Sequence, residues 1–185
     1  MKAYVLLAEG FEIAEATLPI DIMKRARIDV QTISISAERT VKASCGVPVV
    51  ADALLSESDL GDGSLLFLPG GMPGTMNLRA SQAVTDVIMS YFKDGKWLGA
   101  ICAAPSAYGV LGILKGKEAT CYPGFEKELT GATPLQNECV RSGQFITGCG
   151  AGAAFSVGRE CAAVLVGEET ADAVLRQMMF EVYTR

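Results

Sequence analysis

The chain has 185 residues, half of them apolar and 20% charged, which fits one globular domain and excludes a disordered segment, a collagen-like repeat and a disulfide-stapled miniprotein. Sixteen Lys and Arg stand against 21 Asp and Glu, a net charge of −5 without a basic cluster, so nucleic acid is excluded as an electrostatic partner. There is no histidine, which excludes Ser-His-Asp and Cys-His triads, HExxH zinc sites and Cys2His2 fingers.

The apolar run 3–8 predicts a buried parallel strand. A helix follows over 14–27, with Ile13, Ala16, Thr17, Ile20 and Met23 at 3–4 spacing and Pro19 in its first turns. Residues 28–35 alternate as a second strand. Residues 44–50 read as a small hairpin punctuated by Gly46 and Pro48. A third strand, 64–68, ends in Pro69, Gly70 and Gly71. A helix over 81–93 leads to a fourth strand, 97–101, from which a helix over 103–114 opens directly. A short strand at 118–121, a helical turn at 125–129, a strand at 144–147 and helices over 151–166 and 169–180 complete the pattern. Strands separated by helices predict an α/β fold, a mostly parallel sheet covered on both faces. Ligands bind such sheets beyond the carboxyl ends of the strands, so the residues just after each strand carry the interest.

After strand 97–101 comes Cys102, followed by Ala103, Ala104 and Pro105. Small neighbours permit the tight strand-to-helix turn of a nucleophile elbow, and a helix N-terminus there would lower the thiol's pKa. The pattern admits a buried structural cysteine as well. The first strand delivers Glu9, Glu12 and Glu15; the last two can share a helix face, or simply favour the helix dipole from solvent. Gly70 and Gly71 can aim backbone N–H groups at one spot, as an oxyanion hole does, or merely form a tight turn. The loop 148–154 lacks the third glycine of a dinucleotide fingerprint, because residue 153 is Ala.

Six cysteines, at 45, 102, 121, 139, 149 and 161, include no C-x-x-C pair, so neither a zinc ribbon nor a thioredoxin motif is present. No metal and no cofactor are expected. The run 3–8 stops at Glu9, too short for a signal peptide, and the longest uncharged stretch, 97–114, is broken by Gly99, Pro105 and Gly109. The expectation is a cytoplasmic protein with reduced thiols and no membrane partner.

The stretches AEGFEIAEATLPIDIMKRA, LFLPGGMPGTMNLR and GAICAAPSAYGVLGIL resemble the ThiJ/PfpI family, in the branch of the parkinsonism-associated redox protein. The resemblance runs in order along nearly the whole chain. It implies a flavodoxin-like sandwich and a homodimer. It matches Cys102 to the family's reactive cysteine, Glu15 to the carboxyl that hydrogen-bonds the sulfur, and the N–H groups of Gly70, Gly71 and Ala103 to the donors around it. Tyr122 stands where many members have a histidine. The family's Gly-Pro-Gly-Thr loop appears as Gly150, Ala151, Gly152, Ala153, and Cys45 lies where relatives often carry a basic residue.

Two functions follow as expectations. One is cofactor-independent glyoxalase or deglycase chemistry, in which Cys102 attacks a small reactive carbonyl and Glu15 shuttles the proton. The other is a redox sensor or chaperone in which Cys102 is oxidised to sulfinate. Without histidine, the protease activity of another family branch is not expected. For the homodimer, the first helix offers Ile13, Ile20 and Met23 around Pro19 as apolar material beyond what one sheet face needs.

Overall fold

The computed structural model describes residues 1–180. In chain order the elements are β1 (Lys2–Leu7), α1 (Ile13–Arg25), β2 (Asp29–Ser34), β3 (Thr40–Lys42), β4 (Pro48–Val50), β5 (Ala53–Leu54), β6 (Leu65–Leu68), α2 (Gly74–Ala80), α3 (Gln82–Lys93), β7 (Trp97–Ile101) and α4 (Pro105–Val110). There follow β8 (Glu118–Ala119), β9 (Thr133–Pro134), β10 (Cys139–Ser142), β11 (Phe145–Gly148), α5 (Ala154–Val166) and α6 (Glu168–Gln177).

Seven strands form one sheet in the order β10-β11-β7-β6-β1-β2-β5, parallel except for the edge pair β10–β11. The strand alternation divides the core. Ala3, Val5, Leu7, Leu65 and Phe67 join Ile22, Val157 and Cys161 on one face. Tyr4, Leu6, Leu66 and Leu68 join Ile88, Tyr91 and Tyr108 on the other. Both faces are thus apolar along the same strands, which is why these runs read as continuous rather than alternating.

Helices α1 and α5 lie on the first face in close contact. A Cβ at Gly158 would stand 2.7 Å from Ile22 Cδ1 and 2.9 Å from Pro19 Cα. Pro19 lies inside α1, in its second turn, and leaves the carbonyl of residue 15 without the usual helical donor.

Several boundaries differ from the sequence reading. The helix after Cys102 spans only Pro105–Val110, because residues 102–104 are spent on the turn and Gly112, at φ 70°, ends the last one. Helix α2 was hidden by its glycine- and proline-rich start, and Leu78 anchors it in the core. Strand β10 pairs antiparallel with β11 across a turn in which Gly143 has φ 59°. The 118–121 segment pairs with β9 in a two-stranded ladder outside the main sheet. The hairpin is β3–β4, with Cys45 exposed between its strands. Pro19 and Met23 are buried within the single chain, so they offer nothing to a second copy; Ile13 and Ile20 are only half-buried. Among the described residues, no helix is long and apolar enough to cross a membrane.

Candidate active site

Strand β7 ends at Ile101, and the next residue turns sharply. Cys102 has φ 64°, a left-handed conformation that a non-glycine residue holds only where its surroundings enforce it. Three bonds do so. The Cys102 N–H donates to the Gly148 carbonyl at 2.8 Å, the Tyr122 N–H donates to the Cys102 carbonyl at 2.8 Å, and the Ala104 N–H donates to the Ile101 carbonyl at 3.1 Å. The Gly148 contact continues the β7–β11 register, in which Ile101 pairs with Gly148. The sequence offered no sign of this anchor.

Glu15 reaches the same place from the first turn of α1. Acids in a first turn usually face water, but this one is 1% exposed. Its Oε2 accepts the Gly70 N–H at 3.0 Å, and its carboxyl is in hydrogen-bonding contact with the Cys102 thiol. The backbone N–H groups of Gly71 and Ala103 favour the charged sulfur. Of the three expected backbone donors around the sulfur, Gly70 serves the carboxyl, while Gly71 and Ala103 act on the sulfur. A Cβ at Gly70 would lie 2.6 Å from Glu15 Oε2 and 2.7 Å from Cys102 Cβ, so the residue is the spacer between the two groups. Gly71, at φ 90°, turns the loop against the start of α1, where the Glu12 N–H donates to the Gly70 carbonyl at 2.9 Å.

Glu12 does not share the inward face with Glu15. Its Oε2 accepts the Ser44 hydroxyl at 2.8 Å and so holds the hairpin. Tyr122 is 51% exposed, with its ring against Gly150 and its backbone on Cys102. The phenol bonds to neither Cys102 nor Glu15. Two cavities, of about 600 and 580 Å³, are lined by neither Cys102 nor Glu15. Among the described residues, no group of Cys, Asp and Glu is spaced to hold a metal ion.

Electrostatics couple the pair. Burial pushes the Glu15 carboxyl up to about 7, against the pull of Cys102 and of the Gly70 N–H. Burial first, and then the Glu15 carboxylate, push the Cys102 thiol up to about 12, while the Gly71 and Ala103 N–H groups pull it down. The first proton leaves the pair near neutrality; the second is held because two negative charges would then touch. The sulfur therefore carries charge at neutral pH only while Glu15 keeps the shared proton. This corrects the expectation of a thiol made acidic by a helix N-terminus, since α4 begins three residues later. Burial raises the other core thiols too: Cys121 up to about 11, Cys139 up to about 12, and Cys161 well up.

The DJ-1/PfpI family model matches residues 1–163. The chain is 34% identical to Protein DJ-1alpha of Drosophila melanogaster over 182 residues, 97% of this chain and 84% of that one. It is also 34% identical to Protein DJ-1 homolog B of Arabidopsis thaliana over 172 residues, 92% of this chain but only 39% of that protein, less than half its length. The structure of oxidized Toxoplasma gondii DJ-1 superposes with a TM-score of 0.91 at 30% identity, covering 96% and 97% of the two chains. With that much of the chain matched, in sequence and in fold, this protein belongs to the DJ-1/PfpI family.

Proposed function

We propose that this chain is a DJ-1-type stress-protection protein that converts small α-oxoaldehydes such as methylglyoxal to hydroxy acids through Cys102, without a cofactor. The observation that carries the reading is the buried carboxyl of Glu15 in contact with a sulfur that also receives two backbone N–H groups. The sulfur adds to the aldehyde carbon, and the former carbonyl oxygen takes a proton to give a hemithioacetal. Glu15 removes the proton from that carbon and returns one to the neighbouring carbon, so that a ketone beside a hemithioacetal becomes an alcohol beside a thioester. Water then cleaves the thioester to lactate and frees the thiol. The Gly71 and Ala103 N–H groups favour the thiolate that makes this attack. Deglycation is the same chemistry on a larger adduct. Six unpaired cysteines support a reducing, cytoplasmic setting.

A second reading is a redox sensor in which Cys102 becomes a sulfinate. The same two N–H donors and a protonated Glu15 would hold its oxygens.

Purified protein given methylglyoxal should form lactate slowly, and Cys102→Ala should form none. An imidazole at position 122 would add an acid–base group suited to neutral pH, so Tyr122→His should raise the rate roughly 10²-fold. Lactate formation unaffected by Cys102→Ala would refute the enzymatic reading. No activity in the parent or in Tyr122→His, with Cys102 still oxidised to sulfinate by peroxide, would favour the sensor.

The protein is further proposed to act as a homodimer. Val47 and Val50 on the hairpin are 46% and 68% exposed and, with half-buried Ile13 and Ile20, offer apolar surface on this side of the molecule. Light scattering at micromolar concentration should give twice the chain mass; a monomer would remove the claim.

A further inference from the structure

We propose that Arg79 is a positioning residue for Cys102: its guanidinium ties together the segments that follow β6, β7 and β8, and so holds Ala103 in place directly after the sulfur-bearing residue. The inference rests on the reading of Cys102 as the reactive group and adds to it a residue outside the site.

Arg79 stands in the last turn of α2, the helix entered from the Gly70–Gly71 loop. Its Nη2 donates to Glu128 Oε2 at 3.0 Å, and its Nη1 lies 3.5 Å from Ser106 Oγ. Ser106 is fully buried, and its hydroxyl donates to the Ala103 carbonyl at 2.6 Å. The same carbonyl accepts the Ser106 N–H at 3.1 Å. Ala103, the residue whose N–H favours the charged sulfur, is thus pinned from behind.

The other arm of the guanidinium acts on the segment after β8. Glu128 belongs to the 3-10 turn Glu126–Glu128, which ends a stretch begun by Tyr122, and the Tyr122 N–H holds the Cys102 carbonyl. Helix α4 touches this turn closely: the Glu128 carbonyl occupies the space a Cβ at Gly109 would need. Three segments around the elbow therefore meet at one side chain that is 20% exposed, where an ion pair is less screened than on the open surface. The planar fork of arginine reaches two partners in different directions, which a lysine ammonium on one stem does not do in the same geometry. Nothing in the proposed chemistry uses Arg79 directly. Its removal frees Ala103 to move off the sulfur, which weakens the donor that favours the thiolate.

The test is the pH dependence of Cys102 alkylation by iodoacetamide, resolved by mass spectrometry. It compares the parent with Arg79→Gln, Arg79→Lys and the double variant Arg79→Gln/Glu128→Gln, with circular dichroism reporting the fold. In Arg79→Gln the profile should move to higher pH by about 0.5–1, a roughly three- to tenfold loss of rate near pH 7. The double variant balances the charges without restoring the tie, so it should keep the loss. Arg79→Lys keeps the charge without the fork and should keep at least half the shift. A parent-like profile in Arg79→Gln overturns the proposal, and so does recovery in the double variant, which would reduce the effect to charge alone. If Arg79→Gln does not fold, Arg79→Lys decides: a parent-like profile there overturns it. Failure of the underlying reading looks different, because lactate formation would then survive Cys102→Ala.

Discussion

In Glu15→Gln, methylglyoxal turnover should fall by about 10²- to 10⁴-fold while Cys102 remains oxidisable by peroxide. Glutamine fills the same volume, can accept the Gly70 N–H through its oxygen, and can donate an N–H to the sulfur. It cannot exchange a proton with carbon, so the step that moves hydrogen between the two carbons is lost. Glu15→Leu removes the donor as well, so controlled oxidation should suffer along with turnover, although the carboxylate that pushes the thiol up is gone. Lactate assays and peroxide titration of the same preparations separate the two losses, and parent-like turnover in Glu15→Gln would remove the shuttle role. The pH dependence of stability follows from the same carboxyl. Its folded-state pKa of about 7 lies above the ordinary 4.5 of a glutamate, so the folded state binds the extra proton between those values. Stability therefore declines as pH rises from about 4.5 to 7. Denaturant titrations of Glu15→Gln should lack that part of the slope.

Gly70→Ala should disable the site with the chain still folded. A methyl group there would stand 2.6 Å from Glu15 Oε2, 2.7 Å from Cys102 Cβ and 2.7 Å from the Ile101 carbonyl oxygen. One of those neighbours is backbone, and the other two are the reacting pair, so relief comes by pushing Glu15 and Cys102 apart. Overpacking of this kind costs about 1–3 kcal/mol of stability. A displacement near 1 Å of reacting groups costs roughly 10²-fold in rate. Gly152→Ala is the control. It lies in the neighbouring loop with open space around it and should leave both melting temperature and turnover close to the parent. Equal losses in both variants would show that the loops, and not the spacer, matter.

The sequence made the central strands legible because each is a short apolar run covered on both faces, and 97–101 was placed to the residue. Cys102 was legible for the same reason, being the first residue past such a strand. Glu15 was not distinguishable by pattern from a solvated helix acid; the family resemblance singled it out, and its burial appears only in three dimensions. The division of labour between Gly70 and Gly71 was beyond reach, since both are glycines in one turn and only the path of the loop decides which N–H meets carboxyl and which meets sulfur. The acidity argument from a helix N-terminus failed because the chain uses Ala103 and Ala104 to turn before α4 begins.

Gly158 would attract anyone seeking a more heat-resistant version of this protein. A glycine in the interior of a helix is a standard target, because alanine there commonly adds about 0.5–1 kcal/mol. Here the missing methyl is what lets α5 seat Pro19 and Ile22. Those residues belong to the same helix as Glu15, one and two turns further along. Filling the gap would lift that helix at its fulcrum and carry the carboxyl with it, so robustness gained at this position would be traded against chemistry on the far side of the helix.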